Sequence, residues 1–187
     1  MKRAILGAIV AGVLFLGTAP ANADTINFTA NLAGANEVPP AASPGTGFAF
    51  LSLDDVAQTL FVSLTFSGLT TLDTAGHIHC CAPLGTNAAV ALPFIASSGF
   101  PTGVTAGSFS HTFVLATDLI GITPAAFITG LESSQAYVNV HSTAFPGGEI
   151  RGQVTVPEPS SVVLMLLGIG LVFVMRKRIG QGLPLAS

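Results

Sequence analysis

The sequence predicts a mostly β fold, an antiparallel β-sandwich with one short helix, and three observations predict it. Apolar and polar residues alternate with a period of two along short runs, which sends successive side chains to opposite faces of a strand. These runs recur as about eight segments of ordinary strand length, punctuated by Gly, Pro, Ser and Asp clusters that read as turns. Between residues 24 and 156 no long apolar run keeps helical spacing.

Taken in order, Ile26, Phe28 and Ala30 alternate with polar neighbours and form the first strand. Pro39, Pro40, Pro44 and Gly45 then make an irregular loop rather than a domain boundary. Strands follow at Gly47–Leu53, Thr59–Phe66, Gly76–Cys80, Ala88–Ile95, Ser108–Leu115, Gln135–His141 and Glu149–Thr155. A short helix is predicted after Thr123, whose hydroxyl can cap it; Pro124 suits the first helical position, and Ala125, Ala126, Phe127, Ile128 and Leu131 follow. Such a helix would plug one end of the sandwich. No internal repeat is present.

The two ends differ from the middle. Residues 1–23 open with Lys2 and Arg3, run through an apolar stretch from Ala4 to Gly17 and reach Ala21-Asn22-Ala23, the order of a secretory signal peptide cut by signal peptidase after Ala23. An uncleaved anchor is the simpler alternative. Residues 157–180 begin with Pro157, Glu158 and Pro159, carry an apolar run from Val162 to Met175, and include the basic cluster Arg176, Lys177 and Arg178; a short tail, 181–187, follows. A helix over that apolar run rises about 21 Å, short of a hydrocarbon core of about 30 Å. It reads as a transmembrane helix only with help from Ser160 and Ser161 on one side and snorkelling basic side chains on the other, which the positive-inside rule keeps in the cytoplasm. Motif, short helix and basic cluster in this order resemble the bacterial PEP-CTERM sorting signal. The resemblance implies a membrane-anchored precursor, cleavage by exosortase near the Pro-Glu-Pro motif, delivery to the cell surface or beyond it, and association with exopolysaccharide. An ordinary stop-transfer anchor is the alternative.

Residues 24–156 suit one domain. Its eight acidic residues, Asp24, Glu37, Asp54, Asp55, Asp73, Asp118, Glu132 and Glu149, face a single base, Arg151, so its net charge is −7. Such a surface has no basic patch with which to release counterions from nucleic acid, which excludes nucleic acid as a partner. Solubility must come from Ser, Thr, Asn and backbone groups, a surface suited to weak polar contacts with carbohydrate or divalent cations.

The stretch Ala75-Gly76-His77-Ile78-His79-Cys80-Cys81 carries the chemistry. In a strand, His77 and His79 share a face and Ile78 takes the other; likewise Tyr137, Asn139 and His141 share a face while Val138 and Val140 pack opposite. If the two strands are neighbours, His77, His79 and His141 can converge on one Cu or Zn ion, with Cys81 a candidate fourth ligand if the strand continues past Cys80. The competing reading makes the histidines half-buried and hydrogen-bonded, with Glu149 and Arg151, two apart on one strand face, paired as ions beside the Gly147-Gly148 turn. His111, between Phe109 and Phe113, reads as packed or partly exposed rather than ligating. Cys80 and Cys81 are adjacent in an exported chain. A disulfide between them comes first, ahead of free or metal-bound thiols, and it breaks the strand at Cys80.

The His-Ile-His segment, the later Tyr137-Val138-Asn139-Val140-His141 and the run Pro146-Gly147-Gly148-Glu149-Ile150-Arg151-Gly152-Gln153 together resemble the CHRD domain over residues 25–155. That resemblance implies an architecture like the immunoglobulin fold or copper/zinc superoxide dismutase, without an assigned biochemical role. Three functions follow. One is a non-enzymatic cell-surface or matrix module, since no nucleophile–base motif is evident. Another is a Cu- or Zn-binding redox protein resembling superoxide dismutase, held to a single ion because four histidines in all are too few for a two-metal site. The third is a ligand- or protein-binding module with Tyr137, Asn139 and His141 lining its face.

Overall fold

Alternation translates directly into strands in the computed structural model, which describes residues 25–157 together with residues 165, 167–169 and 171. The eight strands are β1 (Thr25–Ala33), β2 (Thr46–Asp54), β3 (Thr59–Ser67), β4 (Asp73–His79), β5 (Val90–Phe94), β6 (Gly107–Val114), β7 (Tyr137–Ser142) and β8 (Ile150–Gln153). All pairings are antiparallel, in the order β5-β4-β7-β8-β1-β2-β3-β6. The two layers expected of a sandwich are therefore one continuous sheet. Its halves meet where Ala33 of β1 pairs with Arg151 of β8 and Thr29 bridges Thr155. The sheet curls until its two edge strands approach, the Phe94 ring of β5 lying 5.0 Å from Phe109 and 5.8 Å from Phe113 of β6. Inside the curl, Phe28, Leu51, Leu53, Leu60, Leu64, Ile78, Leu92 and Ile150 are fully buried.

The two halves use alternation differently. In β1, β2, β3 and β6 it separates a core face from an open face. In β7 all six residues are buried. Val138 and Val140 enter the core as expected, and the polar face opposite is roofed by loops: Ala88 donates its backbone N–H to the Tyr137 hydroxyl at 3.1 Å, and Asn87 reaches across to the carbonyl of Val38 at 2.9 Å. This roof turns a solvent-facing row of polar residues into an interior site.

Among the described residues of the domain, two α-helices form where one is expected. Helix α2 (Pro124–Glu132) begins as predicted, the Thr123 hydroxyl accepting from the Ala126 N–H at 3.3 Å, and it buries Phe127 and Leu131 at one end of the sheet. The additional α1 (Leu115–Asp118) takes the end of the predicted sixth strand, where the Asp118 carboxylate accepts from the Val114 N–H at 2.7 Å. Thr123→Ala is expected to lower stability by about 1 kcal/mol in chemical denaturation, with Thr123→Ser retaining most of it.

β4 ends at His79, and Cys80 and Cys81 are joined in a disulfide. The predicted signal peptide, 1–23, and the sorting residues Glu158, Pro159, Arg176, Lys177 and Arg178 lie outside the described residues. Met165, Leu167, Ile169 and Leu171 are helical and exposed, though among the described residues no helix is long and apolar enough to cross a membrane.

Candidate metal centre

Strand pairing brings the three histidines together. β4 lies beside β7 with His77 opposite Asn139, His79 opposite Tyr137 and Ala75 opposite His141, so His141 sits diagonally across from His77. His77 Nδ1 is 3.0 Å from His141 Nε2, and one nitrogen from each of the three rings lies within 4.8 Å of the others.

Backbone carbonyls fix two of the three tautomers. His79 Nδ1 lies 2.9 Å from the Ala88 oxygen, and His141 Nδ1 lies 3.0 Å from the Pro146 oxygen. A carbonyl only accepts, so both protons sit on Nδ1, and in the neutral rings both Nε2 atoms keep their lone pairs. His79 Nε2 is buried and has no hydrogen-bond partner. Burial lowers the basicity of all three rings; for His77, burial followed by the neighbouring His141 and His79 pushes the pKa down to about 4. At neutral pH the rings are therefore uncharged, the protonation state that ligates a metal. A ligating histidine whose second nitrogen donates to a carbonyl is the usual outer-shell arrangement of a metal site.

Around the histidines, Arg151 organises the roof. Its guanidinium carbon lies 3.4 Å from the centroid of the Tyr137 ring, and that ring stacks on His79 at 4.6 Å with planes 5° apart. Its Nη1 donates to Asn87 Oδ1 at 2.9 Å and its Nη2 to the Thr86 carbonyl at 2.7 Å. The segment thus pinned presents the Ala88 carbonyl that orients His79. The ion pair between Glu149 and Arg151 does not form. Glu149 is fully buried; its Oε1 accepts from the Ser43 hydroxyl at 2.6 Å and from the Thr70 N–H, while its Oε2 has no hydrogen-bond partner. Gly148 is needed beside them, because its φ is +130° and a Cβ there would run into Asn139 and Glu37, whereas a Cβ on Gly147 would meet open space.

Two further expectations are corrected. Cys81 does not join the imidazoles, because β4 stops at His79 and the Cys81 sulfur is bonded to Cys80 and lies 3.7 Å from the Ala126 carbonyl of α2. Tyr137, Asn139 and His141 do not line an open recognition face, being only 2, 3 and 9 % exposed under the loops. His111 is packed as expected, its ring 4.7 Å from Phe113 on β6.

Sequence reasoning missed Glu37. It is buried, accepts from Asn139 Nδ2 at 3.3 Å, and leaves its Oε1 without a partner, as Asn139 leaves its Oδ1. The available signal was its isolation as the single charged residue between Thr25 and Leu53. Burial raises its pKa from 4.5 to about 7, against the opposing pull of Arg151 and the Asn139 hydrogen bond. The folded chain therefore holds this proton more tightly than the unfolded chain. The stabilisation is fully present below pH 4.5 and is lost as pH rises through about 7. Glu37→Gln is expected to flatten that part of the stability–pH profile measured by denaturation.

Against known protein families, residues 28–154 match the CHRD domain and residues 155–178 match the PEP-CTERM protein-sorting motif. No curated protein and no solved structure matches the chain.

Proposed function

The chain belongs to the CHRD family and is an exosortase-sorted extracellular protein, and from that premise we propose that its domain is a non-enzymatic surface module that holds one Cu or Zn ion between His77, His79 and His141. The observation that carries this reading is the pair of carbonyl-fixed tautomers, which leaves lone pairs on His79 Nε2 and His141 Nε2 at the cluster of three rings; His141 Nε2 accepts the His77 Nδ1 proton at 3.0 Å, and an ion held by all three rings would take the place of that proton. An all-imidazole donor set suits Cu(II) and Zn(II). When bound, the ion would supply a Lewis-acidic centre with coordination positions not taken by the protein.

The chain's own residues prepare that site. Ala88 and Pro146 hold the Nδ1 protons of His79 and His141 away from the centre, burial keeps the rings neutral, and Arg151 holds the loop that carries Ala88. Signal peptidase, cutting after Ala23, and exosortase, cutting near Pro157, would release the domain outside the membrane. Calorimetric titration of the purified full-length protein tests the metal reading. One equivalent of Cu(II) or Zn(II) is expected to bind, and a flat titration with both ions overturns it. For the sorting half, deleting Pro157, Glu158 and Pro159 is expected to leave the unprocessed mass in the membrane fraction of cells with active exosortase.

A further inference from the structure

The open face of β1, β2, β3 and β6 is chemically unlike the rest of the domain. Three successive cross-strand rows run from Asn27, Thr29 and Asn31 on β1 to Thr112, Ser110 and Ser108 on β6. Their twelve side chains are three Phe and nine Ser, Thr or Asn, with no charge among them. Phe48 and Phe61 are 44 % and 37 % exposed, and Phe50 stands between them in the middle row, partly exposed. Exposed sheet faces ordinarily carry charges that keep them soluble and unpaired. Here the domain's acids are placed elsewhere, Asp54 coming nearest in the row beyond Asn27. Two hollows adjoin the rows: one of about 370 Å³ lies against Phe48 and Thr65, and one of about 390 Å³ opens beside the face where Thr29 and Asn31 meet Asn36 and Gln153, with the buried Glu37 and Arg151 in its wall. Asn31 and Phe48, paired across β1 and β2, stand between the two.

We propose that this face binds a neutral polysaccharide. A sugar ring presents an apolar C–H face that packs on an aromatic ring, and hydroxyls that both donate and accept. Ser and Thr hydroxyls and Asn amides do the same, so a hydroxylated polymer can satisfy them. A protein partner would have to bury those nine polar groups around three separated rings, and each one left unpaired costs free energy. Charge selects among polymers. An anionic chain finds no cation among the twelve row residues, and Arg151, in the wall of the second hollow, is 2 % exposed and already bound to Asn87, Thr86 and the Tyr137 ring; the domain as a whole carries a net charge of −7. A neutral chain is not repelled.

The test is affinity electrophoresis of the full-length protein, in non-ionic detergent, through native gels containing dextran, laminarin or alginate. Retardation is expected with at least one of the two neutral glucans and not with alginate. The double variant Phe48→Ala/Phe61→Ala and, separately, Thr65→Arg are expected to weaken it at least ten-fold while melting as the parent does; the single charge keeps the test open if the double variant fails to fold. His77→Ala is expected to leave retardation unchanged, which separates this face from the metal centre. No retardation with either neutral glucan, retardation with alginate alone, or loss on His77→Ala with the fold intact overturns the proposal. It is also overturned if sedimentation shows that the face joins two copies of the chain and the variants abolish only that association.

Discussion

His79→Ala is expected to weaken Cu(II) and Zn(II) binding at least 100-fold. His79 offers a buried Nε2 with no other partner, and its orientation is set from two sides, by the Ala88 carbonyl and by the Tyr137 ring stacked on it. Loss of an outer-shell group that only orients a ligand typically costs about 10- to 100-fold in affinity, so loss of the ligand itself should cost more. His141→Ala should behave alike, because the Pro146 carbonyl, by holding the Nδ1 proton, turns the Nε2 lone pair toward His77. Arg151→Met makes the useful contrast. It removes the guanidinium that pins Thr86 and Asn87 but leaves every imidazole, so affinity should fall about 10-fold and stoichiometry should stay at one. Equal losses from the ligand and from Arg151 would mean that the histidines act only through packing. Titration calorimetry on the three variants, with thermal melts as a check on folding, makes the comparison.

Gly130→Ala is expected to destabilise the domain by about 2 to 3 kcal/mol, as overpacking of a filled interior does. Gly130 is buried in α2 where the helix rests on the disulfide, and a methyl group there would overlap both the Cys80 and the Cys81 sulfur. The helix cannot back away freely, because Phe127 and Leu131 on the same element are fully buried in the core. Removing the obstruction supplies the control: adding Cys80→Ala and Cys81→Ala to Gly130→Ala should recover part of the loss, a non-additivity that urea denaturation of the four species measures. Strict additivity would mean that the helix end and the disulfide are not in contact.

Much of this was legible in the sequence because strands declare themselves by parity. Val138 and Val140 had to oppose Tyr137, Asn139 and His141, and Thr123-Pro124 had to open a helix. The pairing of β4 with β7, on which the proposed metal centre depends, could be posed only as a condition, since parity says which residues share a face and not which strands are neighbours. The loops escaped altogether. Nothing in the alternation of β7 indicates that its polar face is roofed by the segment carrying Asn87 and Ala88, so an apparent recognition face is an interior. The Glu149–Arg151 pair failed for a related reason. Spacing on one strand makes two charges available to each other, but Ser43, Thr70, Thr86 and Asn87 arrive from distant loops and claim them first. Glu37 was overlooked because a lone acid in a proline-rich loop ordinarily stays in water.

The proposed metal centre and the proposed polysaccharide face lie on different halves of the sheet. The half-sheet β4, β7 and β8 encloses three neutral imidazoles, while the half-sheet β1, β2, β3 and β6 presents an uncharged surface outward. A module displayed outside the cell could hold a metal with one and a matrix polymer with the other, without catalysing a reaction.

The most direct measurement is native mass spectrometry of the exported protein after loading with excess Cu(II) or Zn(II) and desalting. The expected spectrum shows the polypeptide plus one metal ion per chain, and the bare polypeptide for the His77→Ala/His79→Ala/His141→Ala variant. A metal-free wild-type chain, or a metal retained by the triple variant, contradicts a metal centre at these three histidines.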